Sequence, residues 1–135
     1  MAVDFEDAQK AIETRFTTQW AAATEVAYDN VVYTPGSTVV EWVRLNVLTG
    51  ISTVASLGGA TNLYRSVGVV VVQVFVKEGE GARKALLLAD TVAAIFRGIQ
   101  ADGVLYRAPS IDRIGPSDGW YQINVNIPFQ WDANF

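Results

Sequence analysis

The sequence predicts one α+β domain, 1–135, in which a mainly antiparallel sheet of about four main strands carries two helices packed on one face. Three observations predict it. Two segments space their apolar residues for helices, and three others alternate or run apolar as strands do. The order is helix, strand, strand, helix, hairpin, without a regular strand-helix repeat, a second domain's linker or an internal repeat.

Asp4 can cap the first helix, with Glu6 and Asp7 in the first turn where the dipole favours negative charge. Phe5, Ala8, Ile12, Phe16, Trp20 and Ala23 then step by three and four, so an amphipathic helix is expected over 4–23. An irregular stretch through Tyr28, Asn30 and Tyr33 leads to the turn cluster Pro35-Gly36-Ser37. In 39–48, Glu41, Val43, Leu45 and Val47 point one way and Val40, Trp42, Arg44, Asn46 and Leu48 the other. Segment 49–62 carries Gly50, Gly58 and Gly59 and shows no period, which reads as a long flexible loop. The strand at 63–77 is apolar on both sides: Tyr64, Val70, Val72, Val74 and Val76 against Leu63, Val67, Val69, Val71 and Phe75.

A second helix is expected over 82–97, ending at Gly98, with Ala85, Leu88, Ala89, Val92, Ile95 and Phe96 as its buried stripe. Short strands at 103–107 and 110–114 follow. Gly115-Pro116-Ser117-Asp118-Gly119 is turn chemistry. It returns the chain into 120–131, where Tyr121, Ile123, Val125, Ile127 and Phe129 alternate with Gln122, Asn124, Asn126 and Gln130.

Composition limits the chemistry. The 135 residues hold 10 Lys and Arg, 14 Asp and Glu, no His and no Cys, for a net charge of −4. Histidine- or cysteine-based hydrolysis, disulfides and ordinary zinc sites are therefore excluded, and no excess of positive charge draws the chain to nucleic acid. The acidic start lacks the pattern of a secretory signal, and the apolar run 67–76 is too short to span a bilayer, so a soluble, cytosolic protein without membrane contact is expected.

The remaining motifs have plain structural readings. Ser56-Leu57-Gly58-Gly59-Ala60-Thr61 lacks the Lys-Ser/Thr ending of a phosphate loop. Glu78 and Glu80, like Asp4, Glu6 and Asp7, fit helix starts better than acid-base pairs. Arg44, Arg65, Arg107 and Arg113 read as strand charges able to pair with Glu41, Asp112 or Asp118. A small enzyme or ligand-binding domain would have to build its pocket from Tyr64, Tyr106, Arg65 and Glu41. No catalytic, metal or cofactor-binding residue is assigned, and no cofactor is expected.

One difficulty points to function: two helices cover one sheet face, leaving apolar residues on the other. A neighbouring subunit would hide them, or segment 49–62 or 26–33 would fold over. The interface candidates are Trp42, Arg44, Arg65, Val67, Val69, Val71, Phe75 and Trp120. Ser56, Leu57, Gly58 and Gly59 are candidates for a loop that touches a neighbouring subunit or another partner.

The runs Ala55-Ser56-Leu57-Gly58-Gly59, Val69-Val70-Val71-Val72-Gln73-Val74-Phe75-Val76 and Ala89-Asp90-Thr91-Val92-Ala93-Ala94-Ile95-Phe96-Arg97-Gly98 resemble those of small head-tail joining proteins of phages, as does the closing strand at 121–129. The order of elements is similar to that of the tail terminators of long-tailed bacteriophages. The resemblance implies a structural virion protein at the tail-neck junction, assembled in the host cytoplasm. It implies a homo-oligomeric, hexameric ring that caps the tail tube, stops its polymerisation and offers the head connector a docking surface. Its partners would be itself, the major tail tube protein and the connector or neck protein, with DNA passing through the lumen unbound. A neck or tail-completion protein between connector and tail is the alternative within the same class.

Overall fold

The structure, a computed structural model, describes residues 3–58 and 61–134. Helix α1 (Phe5–Trp20) begins with a reciprocal cap. The Asp4 carboxylate accepts from the Asp7 amide at 2.9 Å, and the Asp7 carboxylate accepts from the Asp4 amide at 3.2 Å. It ends where Ala21 and Ala22 take left-handed backbone, φ 50° and 57°, which turns the chain into β1 (Glu25–Tyr28). Ala8, Ile12, Phe16 and Trp20 form its buried stripe, as the spacing predicts. Phe5 departs from it: the ring is 60% exposed and meets Trp131 edge-on at 5.8 Å.

Strands β2 (Glu41–Gly58) and β3 (Thr61–Lys77) form a long antiparallel hairpin. Helix α2 (Arg83–Phe96) follows, then β4 (Gln100–Ala101), β5 (Val104–Tyr106), β6 (Ser110–Ser117) and β7 (Trp120–Asn134). The order across the sheet is β1-β2-β3-β7-β5-β4, with β6 beside β7, and β1 runs parallel to β2. The expected sheet of about four strands, mainly antiparallel, is thus corrected to a curled, mixed sheet of seven. The extra strands have a simple cause. β1 and β4 are four and two residues long, too short to display a period in sequence.

The larger correction concerns 49–62. Its described residues are strand rather than loop: β2 continues to Gly58 and pairs with β3 down to Gly58↔Thr61. Register shifts between Thr49 and Ser52, and again between Val54 and Ser56, each put an extra residue into β2. Each one reverses which side the following residues face, so alternation is lost in the sequence while pairing survives. The turn at 115–119 is likewise tighter than expected, since β6 runs through Ser117. Asp118 and Gly119, at φ 52° and 83°, make a two-residue hairpin turn with left-handed backbone at both positions.

Both helices lie on one side of the sheet. Val43, Leu45, Val70, Val72, Val74, Ile123, Val125 and Ile127 face them, each at most 1% exposed. Phe16 stacks on Phe96 at 6.2 Å, and Phe96 meets Tyr106 at 5.0 Å, so α1, α2 and β5 are joined by three rings. The Arg15 guanidinium donates to the Ile95 carbonyl at 2.9 Å, satisfying an acceptor at the end of α2 from α1. Pro128 stands within β7, with its carbonyl accepting from the Arg107 amide at 2.8 Å. Its missing N–H would point the same way, so the ladder to β3 loses nothing.

Burial pushes the Tyr106 phenol from 10.0 up to about 12, the nearby Arg15 opposing and Asp102 adding to the shift. The unfolded chain ionises this group from pH 10 and the folded chain does not. Stability is therefore full below pH 10 and falls as the pH rises from 10 toward 12, by about 2–3 kcal/mol. Urea unfolding at stepped pH should show Tyr106→Phe with a flatter alkaline limb than the parent. Equal slopes would assign the loss to other groups.

Candidate functional site

The sheet side away from the helices carries all eight interface candidates. Cross-strand partners share a side, and the pairs Trp42↔Phe75, Arg44↔Gln73, Arg65↔Asp132 and Lys77↔Trp120 place them together along β2, β3 and β7. Three zones divide this surface.

At one end is an aromatic cluster. Trp42 stacks on Phe75 at 4.1 Å and meets Trp120 edge-on at 6.1 Å. Tyr33, from the connection between β1 and β2, lies against Trp42 at 4.8 Å, so part of this face is covered from within the chain. Lys77 Nζ stands 4.6 Å from the Trp120 ring centre and the Arg44 guanidinium 5.7 Å from that of Trp42. The middle zone is polar: Asn46 donates to Gln73, Gln122 to Asn124, and Asn126 to Asp112.

The third zone is apolar and open. Val67 is 38% exposed and Leu48 53%, while Val69 and Val71 are half-buried. Beyond it Arg65 and Asp132 form a two-pronged ion pair at 2.8 and 2.9 Å. The bond from Arg65 holds the Asp132 carboxyl below 3.8, so the pair's support is present above that pH and lost as pH falls through the lowered value.

Past this zone β2 and β3 run on as an arm, with β3 still flanked by β7 as far as Leu63↔Asn134. Every residue from Leu48 to Gly58 is exposed, and no charged residue or proline occurs between Asn46 and Tyr64. Ser56, Leu57 and Gly58 stand near its end, where Gly58 N donates to Asn62 Oδ1 at 3.2 Å; Gly59 lies outside the described residues. Where the arm leaves the domain, on the helix side, is a cavity of about 230 Å³. Val3, Phe5, Tyr64, Trp131 and Ala133 make its apolar wall. Ser52 and Ser66 at its rim bond to each other at 2.6 Å, and Trp131 Nε1 donates to the Val3 carbonyl at 2.9 Å. Sequence reading did not find this cavity, because its walls come from both ends of the chain. The absence of charge over 46–64 was the legible signal for the arm.

The residues of the alternative pocket do not converge. Tyr106 is buried against Phe96, Arg65 is on the far side with Asp132, and Glu41 pairs with Lys84 at 3.2 Å. Asp4, Glu6 and Asp7 bring carboxylate oxygens within 4.8 Å of one another, but Asp4 and Asp7 are engaged in the helix cap. Among the described residues no helix is long and apolar enough to cross a membrane.

This arrangement leaves an open apolar zone and an exposed strand end on the sheet side away from the helices. The family model of phage tail terminator proteins matches residues 7–129, and the chain belongs to that family. It is a structural virion component of the phage tail that works with other tail and head proteins. No curated protein matches the sequence. Among solved structures 16 chains match. One superposes with a TM-score of 0.69 at 23% identity over 96% of both chains, which shows a common fold.

Proposed function

We propose that the protein is the terminator subunit at the tail-neck junction, forming a hexameric ring that caps the tail tube. The ring stops tube polymerisation and presents the docking surface for the head connector, while DNA passes through unbound. The observation that carries this reading is the open apolar zone around Val67 and Leu48, on a sheet whose other side already holds both helices. Its occupant is a second copy of the chain. A head-to-tail contact between unlike patches closes into a ring when the rotation allows. The net charge of −4 suits a channel that must not hold a phosphate backbone.

Electron microscopy and native mass spectrometry of the protein, alone and with tail tubes, test this. Six-subunit rings at tube ends are the expected result, and a chain that stays monomeric in both settings refutes it. Val67→Lys is the cleaner surface variant, because Phe75 also supports Trp42 within the fold. It should weaken assembly at least roughly tenfold while leaving the thermal midpoint nearly unchanged. Rings of unchanged size and affinity would remove this face from the interface.

A further inference from the structure

The sheet has two open edges at the same level. Among the described residues β1 pairs only with β2 and β6 only with β7, so the outer side of each lacks a strand. One cross-strand row runs Val26, Val43, Val74, Ile123, Arg113, from β1 to β6. Two residues along, Tyr28 and Ile111 are likewise the two ends of one row. Val43, Val74 and Ile123 face the helices, so Val26 and Arg113 lie on the helix side as well. One parallel and three antiparallel pairings separate β1 from β6, so the two strands run in opposite directions.

The edges also differ in charge. Arg113 is exposed and has no ion pair or hydrogen bond among the described residues. Beside β1 is an open cleft of about 390 Å³, lined by Glu13, Thr14, Thr17 and Thr18 of α1 and by Tyr28. The Tyr28 hydroxyl bonds Thr17 Oγ1 at 2.6 Å and ties the strand to the helix. The half-buried Glu13 carboxylate accepts from Gln9 at 3.5 Å and meets no cation among the described residues.

We propose that β6 of one copy adds to β1 of the next as an antiparallel strand, with Arg113 entering that copy's cleft to pair with Glu13. The inference rests on the ring reading and adds a contact at the sheet edges, separate from the open zone at Val67. A second copy is the occupant because this chain supplies both halves of the contact: a cation on one edge and a carboxylate cleft at the other, on the same side of the sheet. A closed ring also allows no rise from copy to copy, so its joined edges must lie at one level, as these do. Continuing the rows puts Arg113 opposite Val26 and diagonal to Tyr28, a separation of about 7–8 Å that a long side chain spans. Ile111, 43% exposed, then comes opposite Tyr28. The ladder supplies affinity and the arginine selects the register.

Charge reversal tests the pair. Arg113→Glu and Glu13→Arg each bring like charges together, and each should weaken ring assembly at least roughly tenfold without changing the thermal midpoint. A 1:1 mixture of the two variants should assemble again, because every contact then joins opposite charges, and native mass spectrometry should find the two in equal number in each ring. The doubly reversed chain should assemble alone. Normal rings from both single variants would overturn the edge contact and leave the ring reading standing. So would a loss that neither the mixture nor the double variant repairs. A mixture that stops at one subunit of each would mean a reciprocal pair and would also overturn it. Single variants that form normal rings but fail to bind tail tubes would assign the cleft to the tube protein instead. A parent chain that never assembles, even on tubes, would refute the ring and this contact with it.

Discussion

Gly68→Ala is expected to lower stability by about 3 kcal/mol, although it adds a single methyl group. Gly68 faces the helix side of β3, opposite Phe129 in the neighbouring strand. A Cβ there would fall 2.5 Å from the Leu48 carbonyl oxygen and 2.7 Å from Phe129 Cζ. The ring could swing away, but the carbonyl belongs to the β2 backbone and cannot without breaking the ladder. The aromatic ring thus lies across a glycine that has no side chain of its own to pack. Urea unfolding measures the loss. Combining Gly68→Ala with Phe129→Leu should recover only part of it, because the clash with Leu48 remains. A change below about 0.5 kcal/mol for Gly68→Ala would show that the strands separate there more easily than this close approach implies.

Phe96→Ala should cost still more, about 3–5 kcal/mol. Phe96 is 0% exposed and touches Phe16 from α1 and Tyr106 from β5, so removing the ring opens a cavity where three elements meet. Phe96→Leu retains most of the volume and should cost under about 1.5 kcal/mol. Calorimetry of the two variants separates volume from ring geometry: similar losses would mean that the flat stacking of Phe16 on Phe96, at an interplanar angle of 5°, matters more than the space filled.

The sequence spoke clearly wherever a period ran undisturbed. Asp4, Asp7 and the three-four spacing of Ala8, Ile12, Phe16 and Trp20 mark α1 to within a few residues. The two faces of β3 could be separated residue by residue, because the strand pairs with β7 from Leu63 to Lys77 without a register shift. That same regularity explains why eight interface candidates chosen from alternation lie on one side of the sheet. Alternation fails at 49–58, where two bulges reverse it and no face is buried to select apolar residues. β1 was missed for another reason. Four residues cannot show a period, and a parallel partner is reached through an irregular crossover. The cavity was illegible because the Val3 carbonyl and Trp131 Nε1 that close it are 128 positions apart.

The place of β7 within the sheet also bears on how the molecule is made. β7 is central, with β3 along one edge and β5 and β6 along the other, yet it follows all of them in the chain. Until it emerges from the ribosome, β3 has only its hairpin partner, and β5 and β6 have no strand to join them to the rest. Lys77↔Trp120 and Leu63↔Asn134 are pairings between distant positions, the kind that form slowly. Folding must therefore wait for synthesis of these last strand residues, and a nascent chain stalled before Trp120 would expose the apolar side of β3 to other chains.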